Sequence, residues 1–124
     1  NSVCGVYGRY TDNFSSFSIL PTAHIQAVHT GAAEILTTVS GSSPQRYAAV
    51  IERINLTCAE PNRNLLLRIT DPTLLDSCGG IVQGMSGSPI LQDGALVGAV
   101  THVFVNDPTR GYGILIENML SEMP

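Results

Sequence analysis

The chain has 124 residues, 44% of them hydrophobic and 13% charged, with a net charge of −4. One hydrophobic core fits this length and two do not, while the low charge and high apolar content exclude a disordered chain. The six basic residues are all arginine, at positions 9, 46, 53, 63, 68 and 110; no basic stripe offers itself to nucleic acid, and the longest apolar runs, such as Leu65–Leu67 and Ala95–Val100, fall far short of the roughly 20 residues of a membrane span.

Asn1 opens into sequence that reads as folded rather than as a signal peptide. Short runs rich in Val, Ile, Leu and Thr, punctuated by Gly and Pro, then predict strands at Val3–Tyr7, Ser16–Ile19, Ala32–Val39, Tyr47–Ile54, Leu65–Ile69, Pro89–Leu91, Leu96–Phe104 and Gly113–Ile116. Gly41-Ser42-Ser43-Pro44 reads as a turn, and Gln92-Asp93-Gly94 as a hairpin, Asp-Gly being a strong hairpin signal. Asp71 is placed to cap a helical turn from Pro72 to Leu75, and a second short helix is expected over Ile116–Glu122. Short connections imply antiparallel pairing. The expected class is therefore mainly β: an antiparallel barrel, whole or as half of a two-barrel fold.

Cys4, Cys58 and Cys78 show neither CxxC nor Cys/His metal spacing, so no metal or cofactor is expected. Buried thiols are the expectation, with a Cys58–Cys78 disulfide as the alternative in an exported protein. The sequons at Asn13 and Asn55 would matter only in a eukaryotic secreted protein.

The stretch that carries chemistry is QGMSGSPILQDG, Gln83 to Gly94. A serine nucleophile needs an exposed hydroxyl at a tight bend, backbone N–H groups aimed at the developing oxyanion, and a base. Ser86 between Gly84 and Gly87 meets the first need, and the N–H groups of Gly84 and Ser86 are candidates for the second. A loop in which Gly and Ser serve only the turn is the alternative. After Ser86 come a strand, a hairpin and a second strand, Leu96 to His102, and not the long helix of an α/β-hydrolase elbow. That order resembles the second barrel of chymotrypsin-like serine proteases.

A narrower resemblance runs from about Leu65 to Leu120, through LLRITDPTLL (Leu66–Leu75), GGIVQGMSGSP (Gly79–Pro89) and GAVTHVFVNDPTRGYG (Gly98–Gly113). These residues look like the SpoIVB-type serine peptidases of endospore-forming bacteria, also called stage IV sporulation protein B; GAAEILT, Gly31–Thr37, fits more loosely. The resemblance implies a chymotrypsin-like, self-cleaving endopeptidase in which Ser86 is the nucleophile and Asp71 the triad acid. Asp71 has a second reading as a helix cap. The resemblance further implies a protein substrate, namely a membrane-bound regulator cut to activate sigma-factor maturation, and export to the intermembrane space of the forespore. The family's membrane anchor and PDZ domain are not assigned to these residues.

The family's catalytic histidine lies in a G-H-x-[IV]-x-D segment expected well upstream of anything corresponding to Asn1. Of the three histidines here, His24 and His29 read as surface or half-buried residues. His102 has three readings: lining the specificity pocket, bonding near Asp107, or substituting as base. Without a base, a protease-like binding module or an inactive trimmed fragment is the alternative function. A homodimer covering the active-site face is a further expectation.

Overall fold

The computed structural model describes residues 20–39, 41, 43–56 and 59–121. Six antiparallel strands form a closed barrel: β1 (Gly31–Thr37), β2 (Gln45–Ile54), β3 (Leu65–Ile69), β4 (Pro89–Gln92), β5 (Ala95–Phe104) and β6 (Asp107–Leu115). Their order around the barrel is β1-β2-β3-β6-β5-β4, and β4 pairs back onto β1 with Ile35 opposite Ile90. Every strand has a neighbour on both sides, so no ladder is left open.

Alternation drives the closure. Ala33, Ile35 and Thr37 of β1, Ala49 and Ile51 of β2, and Leu65, Leu67 and Ile69 of β3 point inward at every second position. Ile90, Val97, Val100 and Leu115 complete a core whose members are almost wholly shielded from solvent. Ala23 and Val28 cover it from the segment before β1, which pairs with the β4–β5 hairpin through Ala23 N–H to the Leu96 carbonyl at 2.9 Å. Buried Gln92 fixes the same segment: its Nε2 donates to the carbonyls of His29 and Ala32, and its Oε1 accepts from the His29 N–H.

Stagger between strands decides what lies beside what. Leu65, at the start of β3, is level with Gly113 of β6, and Gly113 is level with Val100 of β5. The connection from β2 to β3, including a 3-10 turn at Pro61–Arg63, therefore lies over the C-terminal half of β5. Asn64 anchors it from inside. This buried amide donates to the Asn55 carbonyl at 3.0 Å and accepts from the amide of Asn118 at 2.8 Å, on the closing helix α2 (Ile116–Ser121).

The expected mainly-β barrel is the observed fold, and the strands expected from Ala32 to Phe104 are present within a few residues. Those expected at Val3–Tyr7 and Ser16–Ile19 fall outside the described residues. Two boundaries differ. β6 begins at Asp107 rather than Gly113, because Pro108 precedes the part of β6 that pairs with β3 and so removes no bond from that ladder; Ile116 belongs to α2. Helix α1 runs Pro72–Cys78, beyond Leu75, because Gly79 closes it in the left-handed conformation with its N–H on the Leu75 carbonyl.

Gly98 marks the tightest approach in the barrel wall. A Cβ there would overlap the carbonyl of Ile114 on β6, and its three nearest neighbours are all backbone atoms of Ile114 and Leu115, not the yielding end of a side chain. Gly98→Ala should lower unfolding free energy by about 2–3 kcal/mol in urea titration; an unchanged midpoint would show that β5 and β6 can part at no cost.

Candidate active site

The loop from Gly84 to Pro89 enters β4 through two successive turns. The Met85 N–H donates to the Val82 carbonyl at 3.1 Å, and the Ser88 N–H to the Met85 carbonyl at 2.9 Å. Gly84 and Gly87 have φ of +103° and +92°, with open space where a Cβ would stand. Their need for glycine is thus conformational rather than steric. Between them Met85 is buried and Ser86 exposed, so the bend drives one side chain into the core and presents the next to solvent.

β5 clamps this loop. Gly87 N–H donates to the Val100 carbonyl at 2.7 Å, and Val100 N–H donates back to the Ser88 carbonyl at 2.9 Å. Ser88 Oγ donates to Thr37 Oγ1 at 3.3 Å, tying the loop to β1 as well. Ser86 Oγ donates to the Thr101 carbonyl at 3.1 Å. The N–H groups of Met85, Gly87 and Ser88 all have carbonyl partners, whereas those of Gly84 and Ser86 have no acceptor among the described residues. Two unspent donors beside one exposed hydroxyl form an arrangement able to receive an anionic oxygen.

Residues 1–120 match the family model of the SpoIVB peptidase S55. The chain belongs to the SpoIVB peptidase S55 family. No curated protein and no solved structure matches it. The barrel is consistent with a chymotrypsin-like serine peptidase family.

Asp71, expected from the resemblance to be the triad acid, is heavily engaged by backbone. Its Oδ1 accepts from the N–H groups of Thr73 at 2.9 Å and Leu74 at 3.3 Å, capping α1, and its Oδ2 accepts from Ala48 N–H at 3.0 Å on β2. These donors, that of Ala48 foremost, hold the carboxyl below its ordinary value. No histidine among the described residues hydrogen-bonds to it.

No histidine among the described residues hydrogen-bonds to Ser86 Oγ. His29 Nε2 meets Asp93 Oδ2 at 2.7 Å and its Nδ1 faces the Thr30 carbonyl at 2.9 Å; with acceptors at both ring nitrogens, the imidazole is raised above its ordinary pKa, the Thr30 carbonyl contributing most. Ser86 precedes β4 and Asp93 follows it, so strand β4, about 13 Å long, separates them. His24 is exposed and lies 3.6 Å from Glu117. His102 is exposed on β5, opposite Tyr112 and directly after Thr101, and neither a bond to Asp107 nor one to Ser86 is present. Asp107 instead accepts from Thr109. Cys78 is half-buried at the end of α1; Cys4 and Cys58 lie outside the described residues.

Sequence reasoning missed Thr101. Its carbonyl holds Ser86, and its hydroxyl donates to the Asn62 carbonyl, linking the Gly84–Pro89 loop to the 3-10 turn. Backbone acceptors leave no trace in side-chain identity, so only register could have found it.

Asp71→Asn keeps a cap acceptor but turns an amide toward the Ala48 N–H. Because the folded carboxyl is depressed, its stabilisation is present above its unfolded pKa of about 4 and lost as pH falls through the folded value. The variant should melt below wild type at pH 7, with the gap closing in acid. Equal melting curves across that range would refute a structural role for the carboxylate.

Proposed function

We propose that this chain is the nucleophile-bearing barrel of a serine endopeptidase, with Ser86 attacking the scissile carbonyl. The observation that carries the reading is the exposed Ser86 hydroxyl flanked by two backbone donors, Gly84 N–H and Ser86 N–H, that have no acceptor among the described residues. In this mechanism Ser86 Oγ leaves the Thr101 carbonyl and bonds to the substrate carbon while its proton passes to a histidine. The carbonyl oxygen becomes an oxyanion held by the two N–H groups. Collapse expels the amine, which takes the proton from the same histidine, and water then releases the acyl group by the reverse sequence. Each donor in such a pair is worth about 10²- to 10³-fold in rate.

We assign the base to the upstream G-H segment of the family pattern rather than to His24, His29 or His102. His29 is spent on Asp93 and Thr30, and His102, on the strand that holds Ser86 through Thr101, suits the specificity wall. Asp71 takes the family's acid position, its Oδ2 retaining an acceptor site beside the Ala48 bond. By family membership the substrate is a protein; our reading is a membrane-bound regulator of sigma-factor maturation, cut between the forespore membranes. No helix among the described residues is long and apolar enough to cross a membrane.

A protease-like binding module is the second reading, favoured by the lack of any histidine bonded to Ser86 Oγ among the described residues. A fluorophosphonate probe separates the two in the complete gene product. Labelling at Ser86 is expected, abolished by Ser86→Ala and slowed about 10²-fold by Gly84→Ala, which strains a backbone position at positive φ. An unlabelled Ser86 would leave the binding module standing.

A further inference from the structure

Outside the nucleophile loop, the register lines up four outward residues across four strands: Arg53 of β2 opposite Leu66 of β3, Leu66 opposite Tyr112 of β6, and Tyr112 opposite His102 of β5. Paired residues share a face of the sheet. The row therefore leads from the strand that holds Ser86 to an arginine three strand spacings away, about 14 Å.

Over the middle of the row stands Arg63, from the 3-10 turn that Thr101 holds through Asn62. Its guanidinium lies 5.4 Å from the Tyr112 ring centroid, and its Nε pairs with Glu60 Oε2 at 3.0 Å. Ring and carboxylate together restrict where its remaining N–H donors can point. Arg53, Arg63, Glu60, Leu66 and Tyr112 line a concavity of about 200 Å³. That is below the few hundred Å³ of a cofactor or drug-sized pocket and fits one side chain.

Charge singles out the occupant. Arg46, Arg63, Arg68 and Arg110 each have an acidic partner, the last two sharing Glu52. Arg53 has none among the described residues. Two arginines and one glutamate leave the concavity with one uncompensated positive charge in a chain whose net charge is −4. The Tyr112 and Leu66 walls are apolar enough for a short aliphatic stem, with the guanidinium groups at its head.

We propose that this concavity is a substrate subsite that receives the carboxylate of an Asp or Glu side chain several residues from the scissile bond. The peptide lies extended past His102, and its acidic side chain reaches between Arg53 and Arg63. The role as a substrate subsite rests on Ser86 as the nucleophile; the carboxylate site itself does not.

The test measures binding rather than turnover. Acetylated, amidated Ala/Ser decapeptides carrying one Glu, moved along the peptide, are titrated against the complete gene product with Ser86→Ala, beside matched Gln peptides. At one position Glu should bind about fivefold more tightly than Gln, as expected for one partly exposed charge-assisted pair. Arg53→Gln should erase the preference, and Glu60→Gln should enlarge it by removing the competing carboxylate, an outcome that misfolding cannot imitate. Equal binding of Glu and Gln peptides at every position, or a preference that survives Arg53→Gln, overturns the subsite. Fluorophosphonate labelling of Ser86 in the wild-type protein is scored separately: a Glu preference with an unlabelled serine keeps the carboxylate site and removes the nucleophile.

Discussion

Val100 holds the loop before β4 from both sides, accepting from Gly87 and donating to Ser88. That reciprocal pair sets the rest of the site. With Gly87 and Ser88 fixed, Met85 is drawn into the core, Ser86 is turned out, and the N–H groups of Gly84 and Ser86 are left without partners among the described residues. Val100 is itself fixed because β5 is paired on both sides in a closed ladder. Barrel closure is thus the means by which a flexible Gly-Met-Ser-Gly segment acquires one conformation. Preorganised donors act on developing charge without first having to reorganise, which is why such a loop belongs on a rigid wall.

Much of this is legible in the residue types alone. Asp-Gly at 93–94, the glycines flanking Ser86 and the inward alternation of Ile35, Ile51, Leu67 and Ile90 are local signals, and local signals are enough for the barrel class, the hairpin and the exposed serine. The Asp71–Pro72 cap is equally plain, since an Asx residue before Pro carries its own mechanism. The features that stay hidden depend on register. Thr101 and the row from Arg53 to His102 meet only because the strands are staggered, and no residue type announces a stagger. The extension of β6 back to Asp107 is concealed by Pro108, which reads as a loop until its place outside the β3 ladder is known. Asn64 looks like one more polar loop residue, whereas it is 2% exposed and ties three segments together.

The two acidic residues nearest to functional interest behave differently. Asp71 is held by three backbone donors that join β2 to α1, so its charge is built into the fold. Glu60 is exposed and restrained by one arginine, and it tempers the charge of a concavity whose other charged residues are Arg53 and Arg63. Family membership supplies the kind of chemistry; the loop and the concavity supply the places where this particular chain would carry it out.

Attack by Ser86, with the oxyanion received by Gly84 and Ser86 N–H, is tested most directly by a crystal structure of the intact protein reacted with a peptidyl boronic acid, because tetrahedral boron mimics the intermediate. The expected result is boron bonded to Ser86 Oγ, one boronate oxygen within about 3 Å of both N–H groups, and the Ser86–Thr101 hydrogen bond broken. Boron on another residue, or an oxygen turned away from Gly84 and Ser86, would contradict it.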